Sequence, residues 1–531
     1  MIWVDRLAKK IKQRNLKKEW VDDMKTPSGR IHVGSLRGVV IHDLVYKVLK
    51  ENGVNVCFSY VFNDMDPMDA VPVYLDKDKY LPHMGKPLYK IPPPDPKYKN
   101  YAHYFAKEFI EVFNKLNCQP IIIYSSNLYK EGKMNQVVKK ILDNVEKIRK
   151  IYKKVAKATV DKNWFPYNPI CQKCGKIGTT DVYKWDGKYV YYRCLTYKVT
   201  WAKGCGYEGK VEPVGENGKL LWKIDWPAHW SVIGVTIESS GKDHMSKGGS
   251  YDIASHIAKE VLDYNPPEAF GGYEWFTIGG KKMSSSKGIG SSAKEVSEIL
   301  PPQVLRFLFV RTPITTHIDF NPNKETLFGL FDEYDRCFDA YFDKQEGKIN
   351  QGKKGEVMTD FARIIELSKV YDLPKKRLYL PRFRTVYNLL NQKKDNLTSF
   401  FEGLKKDKLT KEERIILEER IFYAKKLIER ENETTKKNGS HQLNNFNFTL
   451  SDNQKNFLKK LKENLEILKT IEKEKIQDAI NKTLKETNIP PKEAFRGLYF
   501  ALTGKPFGPK ASDLIINLGI KQVIKTFQDV K

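Results

Sequence analysis

Apolar residues open the chain at helical spacing. Trp3, Leu7, Ile11 and Leu16 recur among lysines, which predicts an amphipathic basic helix within residues 1–20. A Pro/Ser/Gly turn then leads into an apolar-periodic stretch that predicts a helix from about Gly34 to Leu49. NVCFSYVF (55–62) and CQPIIIYSS (118–126) are short runs rich in β-branched and aromatic residues and predict strands. AHYFAKEFIEVFNKLN (102–117) between them is helix-periodic. Strands alternating with helices imply a parallel α/β sheet. Residues 82–101 are Pro-rich and predict an irregular surface loop. Residues 164–214 carry short Gly/Tyr/Trp-rich strands, which predict a small inserted module, and 265–290 are loop-like. Beyond about residue 310 the apolar stripes keep a helical period, broken by polar stretches at 343–356 and 434–447. The expected division is an α/β domain over 1–310, with the 164–214 insertion inside it, followed by an all-α domain over 311–531.

Composition narrows the function. A chain of 531 residues is too long for one core, and 27 Phe and 28 Tyr exclude a wholly disordered one. No run approaches 18 uninterrupted apolar residues, and the first 20 residues lack an apolar signal region. A cytoplasmic protein with no membrane partner is expected. Lys+Arg is 92 against 65 Asp+Glu, so the net charge is +27. That excess favours a polyanionic partner, above all nucleic acid.

Four of the seven cysteines form the pattern Cys171-x2-Cys174-x19-Cys194-x10-Cys205, and Gly175, Gly204 and Gly206 allow tight turns beside them. Four thiolates so spaced in a cytosolic chain suit one structural Zn2+ better than disulfides.

Two further patterns suit phosphate. Thr26-Pro27-Ser28-Gly29 precedes His32-Val33-Gly34-Ser35 at a helix start, where backbone N–H groups and the helix dipole favour an anion. Gly279-Gly280-Lys281-Lys282-Met283-Ser284-Ser285-Ser286-Lys287-Gly288 is a Gly-bounded loop of lysines and serines that can follow charge on a triphosphate. Either pattern alone is common. In this order, about 250 residues apart on a Rossmann-type frame, they resemble the HIGH and KMSKS signatures of class I aminoacyl-tRNA synthetases. Gly241-Lys242-Asp243-His244, Gly248-Gly249-Ser250-Tyr251-Asp252, Asp225-Trp226-Pro227 and Phe62-Asn63-Asp64-x-Asp66-Pro67 are similar to the class I lysyl-tRNA synthetases. The run from Glu493 to Gly504 looks like the end of their helical anticodon-binding domain. The chain departs from the family pattern at Met24, Ser35, Gly38 and Asp69; Ser35 and Gly38 stand where the family typically has Asn and Glu.

The resemblance implies ATP-dependent attachment of L-lysine to tRNA(Lys) through a lysyl-adenylate, with Mg2+ accompanying ATP. It implies catalytic roles for His32, Gly34, Ser35, Lys282, Met283, Ser284, Ser285, Ser286 and Lys287. ATP contacts are expected from Pro27, Ser28, Gly29, Asp243 and His244. A lysine pocket needs an anion and an aromatic wall. Asp225 and Glu238 are the candidate anions, and Trp222, Trp226 and Tyr273 the wall; the resemblance adds Thr26 and His244. A glutamyl-tRNA synthetase of the same class, or an inactive synthetase-derived tRNA-binding protein, are the alternatives. A monomer is expected.

Overall fold

A computed structural model describes residues 1–280, 283–285, 291–441, 450–468, 472–503 and 511–528. They form two compact units, Met1–Ile428 and Glu429–Lys531.

The first unit is built on a parallel sheet. Strand β1 (Glu19–Lys25) pairs in parallel with β2 (Val56–Phe62), which pairs with β3 (Ile121–Tyr124). Parallel bridges continue the sheet on the other side of β1, from Val21 to Ile237 and from Ile237 to Glu268. Successive strands therefore run outward from β1 in one direction and then, after the long excursion to residue 237, in the other. β1 is the point where strand order reverses, and ligands bind such sheets in the crevice at that point, beyond the strands' carboxyl ends.

The helix α1 (Trp3–Lys12) is shorter than the expected 1–20. Its apolar face buries Val4, Ala8 and Ile11, whereas Leu16 lies beyond its end and is exposed. β1 escaped the apolar pattern because EWVDDMK carries three acidic residues, Glu19, Asp22 and Asp23, all buried. Helix α2 (Val33–Glu51) crosses from β1 to β2 with apolar residues on nearly every side. Its buried charges are matched: Asp43 pairs with Arg306 at 2.6 Å and Lys47 at 2.9 Å. Helix α3 (Tyr101–Lys115) returns to β3 and packs Phe105, Phe109 and Phe113 inward.

The segment 82–101 is not a free surface loop. Met84, Leu88, Ile91 and Tyr101 are buried in a small core with Tyr80 and Phe105, so its prolines shape packed turns. The insertion has the expected short strands: β4 (Tyr167–Pro169), then an antiparallel sheet of β5 (Thr180–Trp185), β6 (Val190–Cys194) and β7 (Glu208–Val211). β8 (Gly218–Leu220) pairs with β4 and leads out of the insertion.

The compact units do not divide at residue 310. The helix Pro302–Val310 is buried on all sides, so it needs cover from α2 and from the following helices Lys324–Gln345 and Lys353–Ser368. One continuous apolar core runs from Val4 to Leu427. The polar stretch 343–356 does interrupt the helices, while the helix Lys411–His441 extends into the 434–447 stretch. The second unit is helical, with Phe457, Leu461, Ile480, Leu498, Ile515 and Val523 in its own core. Among the described residues no helix is long and apolar enough to cross a membrane.

Candidate active site

A cavity of about 780 Å3 opens at the carboxyl end of β1. β1 contributes Asp23, Met24 and Lys25, and the loop after it contributes Thr26 and Ser28. The start of α2 supplies His32, Gly34 and Ser35, and the facing strand end supplies Glu238 and Gly241. Trp222, Trp226, Asp243, His244, Tyr273 and Met283 complete the wall from distant parts of the sequence.

At one end the two phosphate-type motifs meet. The His32 backbone N–H donates to Ser285 Oγ at 3.2 Å, and a Cβ at Gly29 would overlap the Ser285 carbonyl oxygen. A Cβ at Gly34 would stand 3.0 Å from the His32 ring and 3.4 Å from Met283. Glycine at both positions thus lets backbone, imidazole and the second motif close on one another. Ser35 Oγ lies 3.5 Å from His32 Nε2, and His32 Nδ1 is buried without a partner. Burial, with Lys25 nearby, pushes the His32 pKa down to about 3, so the ring is neutral at pH 7 and has one N–H to donate. Ser284 does not line the cavity, and Pro27 is buried behind it. Lys282, Ser286 and Lys287 lie outside the described residues.

The other end is acidic and aromatic. Trp222 and Trp226 stack at 6.1 Å, and the His244 ring stands edge-on to Trp222 at 5.3 Å. Glu238 is buried and accepts from the indole N–H groups of Trp226, at 2.9 Å, and Trp230. Burial still raises its pKa to about 8. Asp243 accepts from Trp275 Nε1 at 3.1 Å.

The sequence placed Asp225 in the pocket, and the structure does not. Asp225 lies behind the wall, buried, 3.1 Å from Lys219 Nζ and accepting from Tyr129 at 2.5 Å. Lys219 also pairs with Asp66 at 2.5 Å, and Thr26 Oγ1 donates to Asp66 at 2.5 Å. The Asp225 charge is therefore answered inside the protein. Sequence reasoning missed Asp23, Lys25, Lys219 and Arg37. Arg37 is buried on α2, and its guanidinium donates to the carbonyls of Glu274 at 2.7 Å, Pro313 at 3.0 Å and Thr316 at 2.9 Å. It thereby anchors the stem that carries the second motif. The Arg following Gly34-x-x was a visible signal, though its partners, over 230 residues away, were not.

The four motif cysteines come together in the insertion. Their Sγ atoms all lie within 4.8 Å of one another, with Cys171–Cys205 and Cys174–Cys194 both at 3.7 Å. An ion held tetrahedrally at ~2.3 Å by thiolates separates the sulfurs by about 3.8 Å, so the donor set fits Zn2+. Gly175 and Gly206 take the left-handed φ values of 71° and 73° that the two knuckles require.

Comparison with known proteins decides the family. The family described as tRNA synthetases class I (K) matches residues 1–368, and the anticodon binding domain family matches 407–530. The lysine–tRNA ligase of Methanosarcina barkeri strain Fusaro is 32% identical over 99% of this chain and 97% of its own length. That of Methanocaldococcus jannaschii is 34% identical over 99% of both chains. The chain belongs to the class I lysyl-tRNA synthetase family. Within this class I synthetase the second family match begins at residue 407, ahead of the second compact unit.

Proposed function

We propose that the protein is a lysine–tRNA ligase that activates L-lysine with ATP and transfers it to tRNA(Lys). The observation that carries this reading is the single cavity that joins the His32/Gly34/Met283 end to an acidic, tryptophan-walled end. In the first step a lysine carboxylate oxygen bonds to the α-phosphorus in line, and the bond to the β-phosphate oxygen breaks, releasing pyrophosphate. His32 donates its N–H to a phosphate oxygen, and the start of α2 holds the phosphates. Lys282 and Lys287 supply charge to the leaving pyrophosphate. Ser28, Gly29, Asp243 and His244 hold the nucleotide, and Mg2+ bound with ATP would neutralise phosphate charge. Thr26, Trp222, Trp226, Glu238 and Tyr273 line the place where lysine binds. In the second step a ribose hydroxyl of the terminal tRNA adenosine attacks the adenylate carbonyl and AMP leaves. Cys171, Cys174, Cys194 and Cys205 hold one structural Zn2+, and the helical region from 311 to 531 reads the anticodon arm. A glutamate-specific site is disfavoured, because Asp23 and Glu238 line the cavity beside Trp226 and Tyr273, where a substrate carboxylate would meet like charge.

Pyrophosphate–ATP exchange, run with each amino acid and with and without tRNA, tests the reading. Lysine-dependent exchange is expected. Exchange driven by glutamate, or none with any amino acid, would replace it with one of the two alternatives.

A further inference from the structure

We propose that Asp23 is the residue that selects the lysine ammonium, and that Gly38 is small to leave its carboxylate room. This deepens the ligase reading and rests on it.

Elimination among the acids of the cavity points to Asp23. Asp66 and Asp225 share Lys219, and Glu274 pairs with Lys242 at 2.6 Å. Asp243 is turned to Trp275, and Asp69 is exposed at the rim. Asp22 is buried, accepts from Ser59, and does not line the cavity. Both Glu238 oxygens already accept from indoles. Asp23 lines the cavity; its Oδ1 accepts from the Met24 N–H at 2.9 Å, and among the described residues its Oδ2 accepts no hydrogen bond.

Among the described residues no side-chain cation answers that oxygen. His42 Nδ1 lies 3.8 Å away, but the ring's partners fix it as neutral: Nδ1 donates to the Gly38 carbonyl at 2.8 Å, and Nε2 accepts from the Ser239 N–H at 3.2 Å. Burial holds the His42 pKa at about 4. Lys25 of β1 lies close enough to favour the Asp23 anion, but among the described residues the two form no ion pair. The other titratable groups near Asp23 among the described residues are Asp22, Glu238, Tyr60 and Tyr273, none of them cationic. Burial accordingly raises the Asp23 pKa to about 7. An isolated buried carboxylate is costly unless a cation meets it, and Trp226 and Tyr273, which line the same cavity, offer aromatic surface to the apolar stem of a primary ammonium.

Gly38 gives a second, independent observation. It sits on α2, where alanine would favour the helix. A Cβ there would stand 2.7 Å from Asp23 Oδ2 and 2.8 Å from Tyr273 Oη. The Asp23 carboxylate and the tyrosine hydroxyl fill the room that a side chain at position 38 would take.

The test compares wild type, Asp23→Asn and Gly38→Ala in pyrophosphate exchange with lysine and with norleucine, which lacks only the ε-amine. Asp23→Asn should raise the lysine KM on the order of 10²-fold, leave the ATP KM within about twofold, and narrow the lysine-over-norleucine preference at least about tenfold. Gly38→Ala should raise the lysine KM about tenfold or more with the fold intact, which keeps the test alive if Asp23→Asn does not fold. Calorimetry near pH 7 in buffers of different ionisation enthalpy should show lysine binding to wild type releasing a proton, and less release in Asp23→Asn. A lysine KM within about twofold of wild type in either variant overturns the assignment while the ligase reading stands. Wild type without lysine-dependent exchange overturns the ligase reading itself.

Discussion

At the residue scale, a buried polar atom without a partner in a cavity wall is a place where a ligand can supply one. His32 Nδ1 is such an atom, and the neutral ring identifies what it can do: donate one hydrogen bond, with no charge to attract the phosphates in the ground state. Its contribution then grows as charge builds on the α-phosphate. His32→Ala is expected to lower kcat for exchange on the order of 10²-fold, by analogy with removing one preorganised donor, and to leave the lysine KM within about threefold. Steady-state exchange kinetics check both numbers. A loss confined to KM would mean that His32 only binds nucleotide.

At the scale of elements, the insertion strands β5–β7 bury Val182, Val190 and Tyr192 only as the edge of a core shared with Leu128, Ile141 and Ile148. Three short strands with so little to bury need a cross-link, and four converged thiols provide the place for one. Protein purified without chelator should hold about one zinc per chain. Cys171→Ser/Cys174→Ser should lose the metal and become protease-sensitive within 164–214, which metal analysis and limited proteolysis would show. Full zinc content in that variant would place the metal elsewhere. The insertion feeds directly into the cavity, because β8 carries Lys219 to Asp66 and Asp225 and leads into the helix Trp222–Ile233. Loss of zinc is therefore expected to weaken amino-acid activation as well.

At the scale of the whole molecule, the net charge of +27 is the property that no single site explains. Lysines spread over helical surfaces attract the phosphate backbone at long range, and anticodon bases are recognised by contacts once held. The affinity for tRNA(Lys) should fall linearly on a log–log plot with salt, with a slope of several released counterions. Charging of an anticodon-swapped tRNA should drop by at least about tenfold at a fixed salt concentration. Filter binding and aminoacylation separate the two effects. Equal charging of both tRNAs would show that the helices from 311 to 531 contribute charge without reading the anticodon.

The sequence alone carried whatever depends on local order. Helical periodicity marked α2 and α3, and short continuous runs of β-branched and aromatic residues marked β2 and β3. The cysteine spacing marked the four thiols that converge, because the two knuckles are local turns. The His32 and Met283 motifs were legible because each is a short, contiguous run. β1 was not legible, because the acids that break its apolar pattern belong to the site rather than to the core. The end of the compact unit was missed because the helix Pro302–Val310 is buried on all sides, and only the three-dimensional packing shows what covers it. Asp225 and Asp23 show the same limit. Both are acids near tryptophans in the sequence or the fold, and their roles depend on whether a lysine from β8 or only empty cavity faces them. Lys219 is only six positions from Asp225 but 153 from Asp66, and a linear pattern holds no record that its ammonium turns to those two carboxylates, at the carboxyl end of β1, and not to Asp23.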